Sequence, residues 1–207
     1  MPPGQAAGIL IVPSFVTNIW QARGPHLATI WHRLWTMMVG ICIGTYAGAG
    51  LIMGGAGDLA ASALGIALVV YALVGLAGPQ VAVPARHEFW LSPVVGAITG
   101  AITGATGVFV IPAVPYLQAL GFDKDELVQA LGLSFLVSTV ALGLSLTTGG
   151  AFGSAMAGTS VLALAPALGG MALGQFVRTR VSAATFKRWF FIGLLLLGGH
   201  LALRGLL

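Results

Sequence analysis

Residues 96–115 read GAITGAITGATGVFVIPAVP, and this stretch decides the fold. Its first half carries glycine at every fourth position (Gly96, Gly100 and Gly104), a spacing that lines one helix face with small residues and favours close packing of two backbones. Its second half cannot continue as a regular helix, because Gly107 and Pro112 interrupt the pattern. We therefore predict that residues 91–121 form either a broken, re-entrant hairpin or one kinked span.

The composition places the chain in a membrane. It is 57% hydrophobic and only 7% charged, whereas soluble domains carry about 25% charged residues. Each bilayer span needs roughly 20 apolar residues, and runs of about that length do not alternate in polarity as barrel strands would. We predict an all-α polytopic membrane protein of about six to eight transmembrane helices or half-helices. The apolar runs are 5–22, 34–57, 59–85, 127–148, 156–177 and 189–207, with 91–121 as the broken one.

Two parts of the chain resemble each other, which suggests an internal repeat. When residues 1–20 are laid over 121–140, Ser14 and Phe15 fall on Ser134 and Phe135. Further along, GTYAG (44–48) falls on GMALG (170–174). Many transporters are built from such duplications. We predict a single transmembrane domain with a first repeat over 1–85 and a second over 86–207.

Charge in the loops indicates that the two repeats have opposite orientations. The loop after the first helix carries Arg23 and Arg33, whereas its counterpart, 147–157, carries no charge. One helix later the bias reverses, because 52–62 carries only Asp58 and its counterpart, 178–188, carries four basic residues. Basic loops face the cytoplasm, so the repeats are expected to be inverted. The net charge of +4 then reflects topology, and no nucleic-acid partner is expected.

The stretch GAITGAITGATGVFVIPAVPYLQALGFDKDELVQALGLSFLVSTVALGLSL (96–146) resembles the second repeat of the TauE/SafE family of sulfite exporters and sulfonate permease-like proteins. The glycines ending at Gly107, then Pro112 and LGLSF (131–135) carry most of the likeness. IVPSFVTNIWQ (11–21) resembles the matching part of the first repeat, and the resemblance extends from Gln5 to Leu203. Family members usually open with a glycine-rich arm, so the chain is expected to lack the N-terminal arm of the first repeat. Three explanations are open: the sequence is a fragment, its start codon is misplaced, or the protein is shortened.

The resemblance implies a secondary transporter in the cell inner membrane that moves small sulfur-containing anions such as sulfite or organosulfonates. The expected partners are a small inorganic or organic anion, the lipid bilayer and a second copy of the chain in a homodimer. Two other functions stay open: an uncoupled anion channel, and a membrane scaffold or subunit that transports nothing. Loss of anion affinity on substitution of Asn18 would favour a carrier, whereas a packing defect alone would favour a scaffold.

Neutral polar residues are the candidates for the anion site, because full charges inside a bilayer are costly. Amide and hydroxyl groups can donate hydrogen bonds, and broken helices can offer free N–H groups at half-helix N-termini. Such N-termini are expected at Gly104–Gly107 and at Pro13, since proline suits the first helical turn. Each side chain could instead bond a neighbouring helix and only aid packing. The predicted substrate-binding residues are Asn18, Thr17, Gln21, Ser14, Gly104, Gly107, Ser134, Ser138 and Thr139.

No enzyme signature is present in the sequence. The sequence has one cysteine and four scattered histidines, which form neither an HExxH nor a CxxC motif. The glycine-rich stretch 96–107 is not a phosphate-binding loop, because the Lys-Ser or Lys-Thr pair of that motif does not follow it. We therefore expect no catalytic residue, metal or cofactor. Asp123 and Glu126 have the spacing of a capping box and predict the start of a helix there.

Overall fold

The computed structural model describes residues 3–53, 57–77, 82–150, 154–180 and 183–204. These residues form helices joined by short irregular segments, without any strand, so the all-α prediction is confirmed for this part of the chain. Parts of the loops 52–62 and 147–157 lie outside the described residues. The helices are α1 (Pro3–Ala22), α2 (Leu27–Met53), α3 (Gly57–Ala77), α4 (Ala85–Thr106), α5 (Ala113–Ala119), α6 (Lys124–Thr148), α7 (Ser154–Leu162), α8 (Leu164–Arg180) and α9 (Ala183–Arg204).

Three of the described helices are long and apolar enough to cross a bilayer: Leu27–Gly50, Ala85–Thr106 and Lys124–Thr148. Shorter apolar helices cover Ala7–Ala22, Gly158–Gly174 and Arg188–Leu203. The apolar surface of these helices far exceeds what a water-soluble protein of this length could cover with charge. The chain is a helical membrane protein.

Helices α2 and α4 run parallel and pack backbone against backbone along their glycine stripes. A side chain added at Gly40 would bring its Cβ 2.9 Å from the Ala97 nitrogen, and one added at Gly100 would reach 2.7 Å from the Thr45 nitrogen. Only a residue without Cβ fits such an approach. The prediction of close packing from the four-residue glycine spacing is confirmed.

The chain turns back after α4, so residues 91–121 form a hairpin and not one kinked span. Helix α4 ends at Gly107, which has φ 75° and donates its N–H to the Thr103 carbonyl. Residues 107–112 are irregular, and α5 then returns along α4. The Val83 N–H donates to the Ala119 carbonyl at 2.8 Å, so the hairpin starts and finishes at the same end of α4.

A polar cluster holds this end of the hairpin to α2. The Arg33 guanidinium forms two hydrogen bonds with the Glu88 carboxylate, of 2.6 and 2.8 Å, and donates a third, of 2.9 Å, to the Leu120 carbonyl at the end of α5. The predicted capping box of Asp123 and Glu126 starts α6 nearby and is confirmed. Helices α2, α4 and α6 therefore all begin at one end of the molecule.

Helices that align in the sequence repeat pair with each other in antiparallel fashion. In the α1–α6 pair, Ala22 lies against Gly132 near one end, and Ala7 packs in one cluster with Leu146 near the other. In the α3–α9 pair, Gly75 lies against the Phe191 ring while Gly65 approaches the backbone of Ala202. A two-fold axis perpendicular to the helices would relate the members of each pair.

Candidate functional site

A cavity of about 180 Å³ lies where α1, α6 and the irregular tip of the hairpin meet. No lining side chain is charged, and most are apolar. The lining residues are Ala7, Leu10, Ile11, Ser14, Gly107, Val108, Phe109, Val110, Thr139 and Leu142. Concave sites with an apolar wall and a few convergent polar groups are the usual form of small-ligand sites.

Two hydroxyl groups line the cavity from opposite helices. Ser14 of α1 is half-buried, and its hydroxyl forms no hydrogen bond with any described residue. Thr139 of α6 is buried and donates to the Phe135 carbonyl at 2.7 Å. Because a hydroxyl is both donor and acceptor, either group can turn its hydrogen toward a molecule in the cavity.

Asn18 supports the cavity from behind Thr139. Its side chain is only 4% exposed, and its Nδ2 donates to the Thr139 oxygen at 3.2 Å. The second N–H of this amide has no hydrogen-bond acceptor among the described residues. Asn18 and Thr139 thus join α1 to α6 through one polar pair. The amide supplies the Thr139 oxygen with a hydrogen bond, while the hydroxyl hydrogen of Thr139 can reorient.

The hairpin tip brings two residues with unpaired backbone N–H groups to the wall of the same cavity. Phe109 and Val110 lie in the irregular segment, and their N–H groups donate no hydrogen bond to any described residue. Buried backbone N–H groups are almost always paired with protein, water or ligand. The tip is therefore a place where a bound anion or water can complete the hydrogen bonding.

The helix end at this tip is opposite to the predicted one. Gly107 caps the carboxyl end of α4, so the Gly104–Gly107 break presents a helix C-terminus and not a half-helix N-terminus. Two threonine hydroxyls near the end of α4 donate hydrogen bonds to carbonyls of the same helix. Thr106 donates to the Ile102 carbonyl at 2.7 Å, and Thr103 donates to the Thr99 carbonyl at 2.8 Å. These carbonyls also face the helical N–H groups four residues on, so the bonds hold both threonine hydroxyls against their own helix.

The predicted half-helix at Pro13 is also wrong, because Pro13 lies inside the continuous helix α1. Proline deprives the Ile9 carbonyl of its helical donor. Ser160 of α7 replaces that donor: its hydroxyl donates to the Ile9 carbonyl at 2.8 Å and accepts the Val12 N–H at 3.0 Å. The tertiary contact allows the helix to continue through the proline.

The other predicted residues lie away from the cavity wall. Thr17, Ser134 and Ser138 donate their hydroxyl hydrogens to carbonyls of their own helices. Gln21 packs against Gly132 at the α1–α6 crossing, and Gly104 faces the backbone of α2. Of the nine predicted residues, Ser14, Gly107 and Thr139 line the cavity, and Asn18 bonds directly to one of them.

The sequence interpretation missed the apolar part of the wall and the Ser160 contact. Phe109 lines the cavity and packs on Phe135, with ring centroids 4.9 Å apart. An aromatic residue in an apolar run carries no signal that separates a cavity wall from a packed core. Its position between the helix-breaking Gly107 and Pro112 is the one feature that could have marked it.

Comparison with known proteins gives one result. The model of the family described as Sulfite exporter TauE/SafE matches residues 1–201. No curated protein and no solved structure matches the chain significantly. Among the described residues, no group of three or more histidine, cysteine, aspartate or glutamate side chains is arranged to hold a metal ion.

Proposed function

Because the chain belongs to the Sulfite exporter TauE/SafE family, we propose that it is a multi-pass secondary transporter of the cell inner membrane that carries small sulfur-containing anions, sulfite or an organosulfonate. The observation that carries the proposal is the cavity between α1, α6 and the hairpin tip, which is lined by neutral polar groups and by no charged side chain. The proposed donors are the Ser14 hydroxyl, the Thr139 hydroxyl backed by Asn18, and the N–H groups of Phe109 and Val110. Thr139 would exchange its bond to the Phe135 carbonyl for one to the anion.

Neutral donors suit a transported anion for a physical reason. A desolvated anion needs hydrogen bonds to replace those from water, and a hydrogen bond to a charged group contributes about 1.5–3 kcal/mol. A fixed cation would bind more strongly, but a carrier must also release its anion on the far side. The wall of the cavity provides hydrogen bonds without such a charge.

The proposed architecture is a pair of inverted repeats, 1–85 and 86–207, with the anion between them. The antiparallel pairing of α1 with α6 and of α3 with α9 supports it, since an axis in the membrane plane relates inverted repeats. Transporters of this design bind substrate near the bilayer midplane at the repeat interface. The cavity is formed by α1 of one repeat and by α6 and the hairpin of the other.

The proposal is tested with purified protein in liposomes, by measuring sulfite uptake and counterflow. Wild type is expected to exchange sulfite across the membrane, and Ser14→Ala to raise the half-saturating sulfite concentration about 10-fold or more, because one hydrogen bond to the anion is lost. Ser145→Ala is the matched control: Ser145 is buried in α6, bonds the Ala141 carbonyl and lies outside the cavity.

Three results would contradict the proposal. The absence of sulfite and sulfonate flux in wild type would favour the scaffold, and flux without counterflow would favour the channel. Equal effects of the Ser14 and Ser145 substitutions would show that the cavity is not the binding site. Thermal unfolding of each variant separates a binding defect from a folding defect.

A further inference from the structure

The hydroxyl of Ser160 occupies an unusual place inside the hydrogen-bond ladder of another helix. Ser160 is fully buried, and it joins α7 to α1 across about 150 residues of sequence by accepting from Val12 and donating to Ile9. Other buried serines of the described chain, such as Ser134 and Ser145, bond carbonyls one turn back in their own helix. Ser160 therefore does not behave as an ordinary hydroxyl in an apolar helix.

The place of this contact follows from Pro13. Without an N–H at position 13, the Ile9 carbonyl would be a partly buried acceptor with no helical partner, and an acceptor removed from water without a partner is costly. A side chain that inserts at such a gap also fixes the bend of the helix. The Ser160 hydroxyl fills the gap from the α7 side of α1.

The same segment of α1 provides one wall of the cavity. The α1 part of the wall before the proline consists of Ala7, Leu10 and Ile11. After the proline it continues with Ser14, the next residue in the sequence. The relative direction of these two parts of α1 sets how far Ser14 stands from Thr139 and the hairpin tip. A change in the bend at Pro13 would move the Ser14 donor relative to the rest of the wall.

We propose that Ser160 is a positioning residue for the anion cavity: its hydroxyl substitutes for the amide that Pro13 lacks and fixes the course of α1 that presents Ser14. The inference rests on the proposed function, because it assigns Ser160 to the same site. Ser160 itself does not touch the anion. It acts through the geometry of α1, and its importance depends on the proline.

This dependence gives a specific test, a double-mutant cycle of Ser160→Ala and Pro13→Ala. Pro13→Ala restores an N–H that can bond the Ile9 carbonyl within α1, so the serine hydroxyl becomes dispensable. With Pro13 present, Ser160→Ala is expected to weaken sulfite binding about tenfold. In the Pro13→Ala background, the same substitution is expected to change binding by less than about twofold. Ser145→Ala serves as the matched buried serine in both backgrounds.

Amide hydrogen exchange in α1 provides a readout that does not require the anion. Ser160→Ala should speed exchange of the α1 amides around Val12 when Pro13 is present, and much less when the proline is replaced by alanine. The cycle is measured on the full chain in detergent, with sulfite as the probe for binding.

The outcomes separate this inference from the proposed function. If wild type binds no sulfite or sulfonate, the proposed function fails and the positioning role fails with it. If wild type binds sulfite and Ser160→Ala weakens binding equally in both backgrounds, or in neither, the positioning role alone is overturned. A proline-dependent change in both exchange and affinity supports it.

Discussion

Replacement of Gly44 by alanine tests the close backbone packing between α2 and α4. The new Cβ would lie 2.8 Å from the Ala101 nitrogen and would overlap the Ala97 carbonyl still more severely, whereas ordinary contacts begin at 3.4 Å. The obstructing atoms are backbone and cannot rotate away, so α4 must retreat from α2. A gap of about 0.5–1 Å forfeits about a quarter to a half of the attraction between facing atoms.

The expected cost is about 1–3 kcal/mol of unfolding free energy, the range found when extra carbons are forced into a close-packed interior. The repeat offers a matched control at Gly170, which aligns with Gly44 in GTYAG and GMALG. An added Cβ at Gly170 meets nothing within 4 Å. Gly170→Ala should therefore leave stability unchanged or raise it by about 0.5–1 kcal/mol, because alanine favours helix over glycine.

Denaturant-induced unfolding in detergent micelles, followed by tryptophan fluorescence, measures both variants beside wild type. The expected order of stability is Gly170→Ala at or above wild type and Gly44→Ala clearly below it. Equal stability of the two variants would refute the reasoning, because it would mean that α2 and α4 are not in backbone contact at Gly44.

Three further substitutions test the hairpin. Arg33→Lys keeps the charge but loses the bidentate hydrogen bond to Glu88, and it is expected to lower the unfolding free energy by about 1 kcal/mol in the same assay. An unchanged unfolding free energy would show that the Arg33 cluster does not hold the hairpin. Gly107→Ala places a side chain at φ 75°, and a loss of about 1–2 kcal/mol is expected; wild-type stability would contradict the turn. Phe109→Ala enlarges the cavity, and competition binding should show about a tenfold shift of preference from sulfite toward a bulkier sulfonate; an unchanged preference would remove Phe109 from the wall.

The features that the sequence predicted correctly follow from short-range rules. The glycine spacing at 40–48 and 96–104 indicates a face where backbones approach, and this face is where α2 and α4 meet. The break at Gly107 and Pro112 predicts either a hairpin or a kinked span, and the Val83–Ala119 hydrogen bond identifies the hairpin as the form that the chain adopts. Such rules depend on residues close in sequence, so one chain is enough to apply them.

The prediction at Pro13 failed because a distant residue changed the local outcome. Proline is well suited to the first turn of a helix, and the local sequence gives no reason to place it in the interior. Ser160 lies far along the chain, in α7, and supplies the missing donor. Hydroxyl groups occur throughout the apolar runs, so the sequence cannot indicate which one reaches α1.

The repeat shows the same limit in packing. Gly44, Thr45 and Gly48 of GTYAG are buried against α4. In contrast, Gly170 and Gly174 of GMALG lie on an exposed face of α8, with no atom of the described chain near an added Cβ. A small-residue motif permits close approach but does not provide the partner. The partner of α2 is the hairpin helix α4, and this pairing is a property of the topology.

The polar residues of α1 and α6 differ in the hydrogen bonds that their side chains form, which the sequence does not reveal. A hydroxyl that bonds the carbonyl four residues back, as in Ser134 and Ser138, is satisfied within its own helix and offers little to a ligand. The Ser14 hydroxyl lacks such a bond and lines the cavity. An anion site without fixed charge gains most from donors of this second kind, since they gain a hydrogen bond when the anion arrives without giving up a bond within their own helix.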